Sequence, residues 1–372
     1  MNTIELPKEM VCCPTVFAVG DVYKIFMPFC ENALVKITVG DTDYFDDCNG
    51  VMRSNTMMHT VEVPMIELDA HKCYTVKFRN VIERKPYYPT FADEVAVKFE
   101  FKPLEKTENI NVYHISDAHN LVDAPVKAGN YFEDDLDLLV LNGDIPNDGG
   151  AVKNFFAICK IASGITKGGV PCICSRGNHD ARGLFAEDMP HYIPTKDGKT
   201  YYTTRLGNVW ALVLDCGEDK PDDSIEYGGT VCFHQFRLKE TEFIKSVIKN
   251  AKNEYEAEGV EHRLVIVHNP FTFVNHPPFD IEVDLYKEWI GMLKESIKPE
   301  LMLCGHAHKN LVCEVGCERD HLGQPCPLII GSTPEGKESK FTGCAITLNK
   351  DSANVIFNDN FGNATDGYEI KI

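Results

Sequence analysis

The sequence predicts an α/β (α+β) protein in two parts: an N-terminal β-sandwich of immunoglobulin or fibronectin type over residues 1–104, then a larger α/β domain over residues 110–372. Three observations predict it. Before residue 104, apolar and polar residues alternate with a period of two, as on strands with one buried face. After residue 110, short unbroken apolar runs alternate with helical stripes, the pattern of strands covered on both faces. Between them, residues 102–109 are charged and poor in apolar side chains. A length of 372 residues fits two domains, or three, at roughly 100–200 residues each.

In the first part, Val95, Val97, Phe99 and Phe101 alternate with Ala96, Lys98, Glu100 and Lys102. Tyr74, Val76 and Phe78 repeat the pattern, as do Val35, Ile37 and Val39, and turn residues such as Asp47-Cys48-Asn49-Gly50 separate the runs. No amphipathic helix is expected here. In the second part, the apolar runs are 110–116, 136–141, 170–175, 209–214 and 264–267. Helices are expected over 151–161 and 234–258, the second carrying Phe236, Phe243, Ile244, Val247 and Ile248 on one stripe.

Lysine and arginine total 37 against 56 aspartates and glutamates, a net charge of −19. That balance argues against a chain held to nucleic acid or anionic lipid by bulk charge. Fifteen cysteines, an odd number, cannot all pair within one chain, and Cys172, Cys174, Cys304 and Cys344 lie in apolar runs where a thiol acts as a small hydrophobe. The first residues contain no apolar leader, and no run approaches the ~18 apolar residues of a membrane span. A cytoplasmic protein without a membrane partner is expected.

The chemistry sits where the apolar runs end. The first closes on Ser116-Asp117-Ala118-His119, the second on Asn142-Gly143-Asp144, the third on Arg176-Gly177-Asn178-His179-Asp180. Later runs close on His268 and on Gly305-His306-Ala307-His308. Open α/β sheets place their sites beyond the carboxyl ends of strands. On an extended chain Asp117 and His119, two apart, face the same way. Asp117, His119, Asp144, Asn178, His268, His306 and His308 are too many donors for one tetrahedral ion and suit two ions sharing a carboxylate. With no thiolate among them, Mn, Fe, Zn or a similar ion is expected.

The order D-x-H, GD, GNH[DE], H, GHxH over about residues 110–348 resembles the calcineurin-like metallophosphoesterases. The resemblance implies a four-layer αββα domain and a metal-dependent phosphatase or phosphodiesterase (EC 3.1). It assigns Asp117, His119 and His308 to one ion, Asn178, His268 and His306 to the other, and Asp144 to both. A hydroxide bridging the ions would attack phosphorus. His179, next to Asn178 on an extended segment, would face the substrate as general acid or transition-state stabiliser. Asp180 would orient a neighbouring group. Arg182 would either grip a phosphate oxygen with its planar fork or form an ordinary surface salt bridge.

A β domain ahead of such a domain resembles the purple acid phosphatase arrangement. Two positions depart from it: those enzymes typically lack a histidine ligand at the position of His119, and they carry a tyrosine where this chain has Asn147. Asn147, or Asp148 beside it, is expected to orient the catalytic histidine instead. The expected substrate is a small phosphate mono- or diester, with specificity set by loops 181–200, 216–233 and 270–283. Two other readings are a nuclease of the same fold, which the −19 charge disfavours, and a non-catalytic binding or scaffold protein with a retained metal site. The sequence leaves the oligomeric state open.

Other residues admit plain readings. His114 is expected in the core, and vicinal Cys12-Cys13 is structural. Cys313, Cys317, His321 and Cys326 form either a structural zinc site or a cysteine-rich hairpin or loop. His276 either lines the cleft or is a solvated loop residue. Tyr87, Tyr88 and Phe91, near Arg84 and Lys85, read as a Pro-rich turn packed on its neighbour, or as a nucleic-acid or sugar contact.

Overall fold

The computed structural model describes residues 5–273, 276–335 and 340–372. Its long strands follow from the apolar runs, each of which sends alternate side chains to two different cores. In Ile110–Ile115, Ile110 and Val112 enter one hydrophobic cluster while Tyr113 and Ile115 enter another. Leu138–Asn142 divides in the same way, with Leu138 and Val140 on one side and Leu139 and Leu141 on the other. In the second sheet, Val209, Ala211 and Val213 face the shared central cluster, and Trp210, Leu212 and Leu214 face a third.

Five α-helices are described: α1 (Met65–His71), α2 (Asp123–Gly129), α3 (Val152–Thr166), α4 (Phe233–Lys249) and α5 (Val283–Met292). Helices α2 and α3 cover the outer face of the first sheet, and α4 and α5 that of the second. The layers are therefore helix, sheet, sheet, helix. Two unbroken apolar faces per strand are what such a stack requires.

The first sheet has ten strands. Its main order is Tyr368–Lys371, Ser352–Asp359, Lys340–Leu348, Ile110–Ile115, Leu138–Asn142, Pro171–Ser175, Thr15–Val19, Val22–Pro28 and Met58–Pro64. Thr15–Val19 runs parallel to Pro171–Ser175, pairing Val16 with Pro171 and Phe17 with Cys172. Three strands from the N-terminal region thus continue the sheet that carries the site loops. Other strands of that region form a separate sheet, in the order Val95–Glu100, Cys73–Glu83, Ala33–Val39 and Thr42–Phe45. Its inward residues Val35, Val76, Phe78 and Phe99 join the central cluster. The second large sheet has six strands, ordered Tyr202–Leu206, Val209–Leu214, His262–Val267, Leu301–Cys304, Leu328–Ile330 and Leu311–Cys313.

Several local expectations are corrected. The N-terminal region does contain a helix, α1. It buries only Met65 and Leu68 and ends at left-handed Lys72 after seven residues, too short to print an apolar stripe. Helix α3 runs to Thr166, beyond the expected 161, and α4 stops at Lys249 because Asn250 turns the chain into a 3-10 turn over Ala251–Asn253. At Asn49-Gly50 both residues have positive φ (52° and 83°), the type I′ geometry that closes the hairpin between Asp47–Cys48 and Val51–Met52. Tyr87 and Tyr88 do not pack on a neighbour; they are 79% and 93% exposed. All fifteen cysteines are free, and no described helix is long and apolar enough to cross a membrane.

Candidate metal centre

The predicted donors converge at the carboxyl ends of the central strands. Among the described residues, three groups bring potential ligand atoms within 4.8 Å of one another: Asp117, His119 and His308; His119, Asp144 and His179; and Asp144, His268 and His306. Asp144 belongs to two of them.

The route by which Asp117 and His119 meet differs from the extended segment expected. The strand ends at Ile115, and Asp117 (φ 52°) and His119 (φ 44°) are both left-handed. The loop then runs beside the next strand's end: the N–H groups of Asp117, His119 and Asn120 donate to the carbonyls of Gly143, Asp144 and Ile145 at 3.1, 3.0 and 2.9 Å. Asp144, His306 and His308 are left-handed too, at φ 52°, 65° and 47°. Each such non-glycine residue costs about 1–2 kcal/mol, and strain of this kind collects at functional sites. The motif glycines permit the close approach. A Cβ on Gly177 would overlap the Asp144 carboxylate, and one on Gly305 would overlap Ser116 and Asp117.

Around Asp117, which is fully buried, Ser116 Oγ donates to the carboxylate at 2.6 Å and the His306 N–H reaches both oxygens at 3.0–3.1 Å. His308 Nε2 lies 3.3 Å from Asp117 Oδ1 and 3.1 Å from His119 Nε2, so two imidazole nitrogens and a carboxylate oxygen face one another. Asp144 accepts the His179 N–H on Oδ1 at 2.8 Å and turns Oδ2 to His268 Nε2 at 3.1 Å. His268 Nδ1 lies 2.7 Å from the Asn142 carbonyl, which fixes the tautomer: Nδ1–H donates there and Nε2 faces the site. The Asn142 side chain in turn donates to His114 Nε2 and to the Leu303 carbonyl, at 3.0 and 2.9 Å, joining the two large sheets beneath the site. His114 is the core residue expected; burial pushes its ring down to about 3.

Two buried carboxylates, Asp117 and Asp144, dominate the electrostatics of the site. Burial acts against charge on His268, but Asp144 and Asp117 outweigh it and push the ring up to about 10. Burial likewise opposes ionisation of Asp144 and Asp117, yet His268, joined by His179 at Asp144 and by His308 and Ser116 at Asp117, holds both below the usual carboxylate range. A proton on His268 thus serves where a cation would. Asn178 shares this corner: its side-chain amide lies 3.0 Å from His306 Nδ1 and 3.2 Å from Asp144 Oδ2 on one side and 3.0 Å from Arg182 Nη2 on the other. Carboxylate, imidazole and amide groups thus converge where a single proton balances two buried carboxylates, and on this ground the donor set fits a metal.

His179 lies on a 3-10 turn, His179–Ala181, rather than on the extended segment expected. Its ring packs edge-on to His119 with centroids 4.8 Å apart. Nδ1 donates to the backbone carbonyl of Asn147 at 2.9 Å. The orienting group is therefore that carbonyl; the Asn147 amide is turned away, donating to Asp148 at 2.9 Å. Asp180 is buried beneath the site, where Oδ2 accepts the Gly177 N–H at 2.7 Å and the Asp144 N–H at 3.2 Å. Burial, with Asp144 nearby, pushes its carboxyl up to about 8. Arg182 is gripped by fully buried Glu218, at 2.5 Å from Nε and 2.7 Å from Nη2, and its Nη1 lies 3.3 Å from His179 Nε2.

Sequence reasoning missed Glu218 and Asp219. Asp219 Oδ2 lies 3.3 Å from His306 Nε2, so His306 is held from its far side while Nδ1 faces Asn178. Burial opposes ionisation of Asp219, but His306, Lys220 and the Tyr227 hydroxyl together outweigh it and lower the carboxyl. Arg237 of α4, also buried, holds this loop by donating to the carbonyls of Cys216 and Glu218 at 2.8 and 2.5 Å. The only local signal was an acidic stretch in a loop already expected to line the cleft. Cys313, Cys317, His321 and Cys326 do not form a metal-holding group among the described residues: His321 turns Nδ1 to the Phe273 carbonyl at 2.7 Å. His276 is an exposed loop residue, its ring 5.6 Å from that of Phe279, and residues 274–275 of that loop lie outside the described residues.

A cleft of about 450 Å³ opens over the centre, lined by Asp144, Asn178, His179, Arg182, His306 and His308 among others. A larger cleft of about 790 Å³, between the N-terminal strands and residues 190–195, contains none of these donors. Donor atoms, not volume, locate the chemistry.

The model of the calcineurin-like phosphoesterase family matches residues 110–310. No curated protein sequence matches the chain. Among solved structures, the chain is similar to the purple acid phosphatase PPD1 from yellow lupin (Lupinus luteus) seeds, with 12% identity, 97% of this chain and 74% of that one covered, and a TM-score of 0.60. It is also similar to PhoD, with 10% identity, 100% of this chain and 93% of that one covered, and a TM-score of 0.50. At these identities the likeness is one of fold.

Proposed function

The chain belongs to the calcineurin-like phosphoesterase family, and we propose that it hydrolyses small phosphate mono- or diesters with two bound metal ions. The observation that carries this is the ring of carboxylate and imidazole groups whose ligand atoms lie, cluster by cluster, within 4.8 Å of one another, with Asp144 common to two of the clusters. Asp117, His119 and His308 would hold one ion, and Asn178, His268 and His306 the other, with Asp144 shared. Bound there, Mn, Fe or Zn would supply Lewis acidity to a phosphoryl oxygen and to the attacking water.

The chain's own residues supply the rest. Water oxygen forms the new bond to phosphorus, its proton passes to solvent, and the bond to the leaving oxygen breaks with its electron pair. His179, anchored through Nδ1 on Asn147 and lining the cleft with Nε2 3.3 Å from Arg182 Nη1, gives the leaving oxygen a proton when Nε2 carries one. Asp180 acts as a positioning residue, fixing the backbones of Gly177 and Asp144. Arg182, paired with Glu218 and with Nη1 beside His179 Nε2, is held in place rather than standing free for phosphate. The net charge of −19 disfavours a long polyanion and leaves a small ester as the better substrate. We read the strands before residue 104 as a β-sandwich unit of immunoglobulin or fibronectin type, supported by two groups of strands that share one core.

The test is metal analysis by mass spectrometry together with hydrolysis of p-nitrophenyl phosphate and bis(p-nitrophenyl) phosphate under Mn, Fe and Zn. About two ions per chain and turnover are expected. No bound metal and no turnover under any ion would overturn the reading.

A further inference from the structure

Beside the metal cleft lies a second pocket, of about 180 Å³, that shares Asp219, Phe279, His306 and Ala307 with it. Its remaining walls include Phe271, Phe273, Ile281 and Tyr286. Phe271 and Tyr286 are 1% and 2% exposed and stack on the core around Trp289, so the floor is fixed by packing. Phe273, Phe279 and Ile281 are half-buried and form the sides. Of the polar groups at the mouth, Asp219 already faces His306.

Resting on the hydrolytic reading above, we infer that this pocket seats the organic group of the substrate, and that preferred substrates are phosphate esters of a compact apolar ring. The volume is right for one ring: an apolar cavity of about 150 Å³ takes up benzene. The walls are right as well. A sugar or glycerol would bring hydroxyls against phenylalanine and isoleucine, losing water without gaining partners, whereas an apolar ring is favoured by area removed from water. The pocket adjoins the centre at His306, which lines both cavities, so a ring lodged in it lies beside a phosphoryl group held over the donors.

The test compares benzyl phosphate with methyl phosphate, two alkyl esters whose leaving alkoxides are alike in kind. On the metal-loaded full chain, kcat/KM for the benzyl ester should exceed that for the methyl ester by about 10–100-fold, and Phe279→Ala or Ile281→Trp should shrink that ratio. Calorimetry with benzylphosphonate and methylphosphonate, which cannot turn over, should show a preference of the same sense in the unaltered chain and so decides the matter even if a variant misfolds. Equal turnover of both esters with equal binding of both phosphonates would overturn the inference and leave the phosphoesterase reading standing. Selective binding of benzylphosphonate with no turnover of any ester would support the pocket and defeat the hydrolytic reading instead.

Discussion

His308 leaves 47% of its side chain exposed, and the nearby His119 has a buried Nδ1 without a hydrogen-bond partner among the described residues. Across the ring, the His268 side chain is 1% exposed and bonded through Nδ1 to a backbone carbonyl, and His306 is braced by Asp219. The donors at the two ends are alike in chemistry but unlike in support. Ligands whose second nitrogen is tied to an acceptor keep their tautomer and orientation and bind metal more tightly. In the two-ion reading, the half with His268 and His306 is therefore the tighter one and the half with His119 and His308 the more exchangeable. Burial and bracing, more than ligand type, set that order.

The largest effect expected from this difference comes from the residue common to both halves. Asp144→Asn should empty both and lower kcat by about 10³-fold or more, since the Lewis acidity at stake is worth several kcal/mol at about 1.36 kcal/mol per tenfold. His308→Ala should remove one ion and keep the other. Metal content by mass spectrometry beside single-turnover rates checks both. Equal loss from the two variants would erase the proposed asymmetry.

The seven donors were legible because each closes an apolar run and because glycines mark three of the turns, where a Cβ has no room. The braces were not. Gly217-Glu218-Asp219-Lys220 reads as a solvated acidic loop, and only folding sets Asp219 on His306, far away in the chain. The anchor for that loop, Arg237, lies on α4, where charged residues are expected to face water. The Asn142 and Asn147 carbonyls that orient His268 and His179 belong to the backbone, so side-chain identity does not announce them. The N-terminal strands were readable as strands from their alternation, but the parallel pairing of Val16 with Pro171 leaves no local mark.

Asp219→Asn sharpens the comparison at intermediate scale. The amide keeps the size and can still accept a hydrogen bond but loses the charge that favours His306 as a donor. Metal affinity of the braced half should fall by about 10–100-fold, the range for outer-shell partners, while the other half changes little. Stepwise titration with a chelator reads this directly: two well-separated releases in the unaltered chain should draw together in the variant. Unchanged separation would show that Asp219 does not hold His306 in solution.

The smallest effect is in pH dependence, and its sign distinguishes metal-free from metal-loaded protein. Without metal, Asp144 and Asp117 push His268 up to about 10, against the pull of burial. A histidine raised above its unfolded value, about 6.5, stabilises the fold fully below that pH, and the contribution is lost as pH rises through the folded value near 10. The metal-free chain should thus become easier to unfold by urea from about pH 7 upward. A metal needs the neutral ring, so loading must expel that proton and metal affinity must rise with pH over the same interval. Calorimetric metal titrations in buffers of different ionisation enthalpy should register about one proton released by the braced half near pH 7. A release of none would mean that His268 is already neutral there, and that the two buried carboxylates are balanced by something other than its proton.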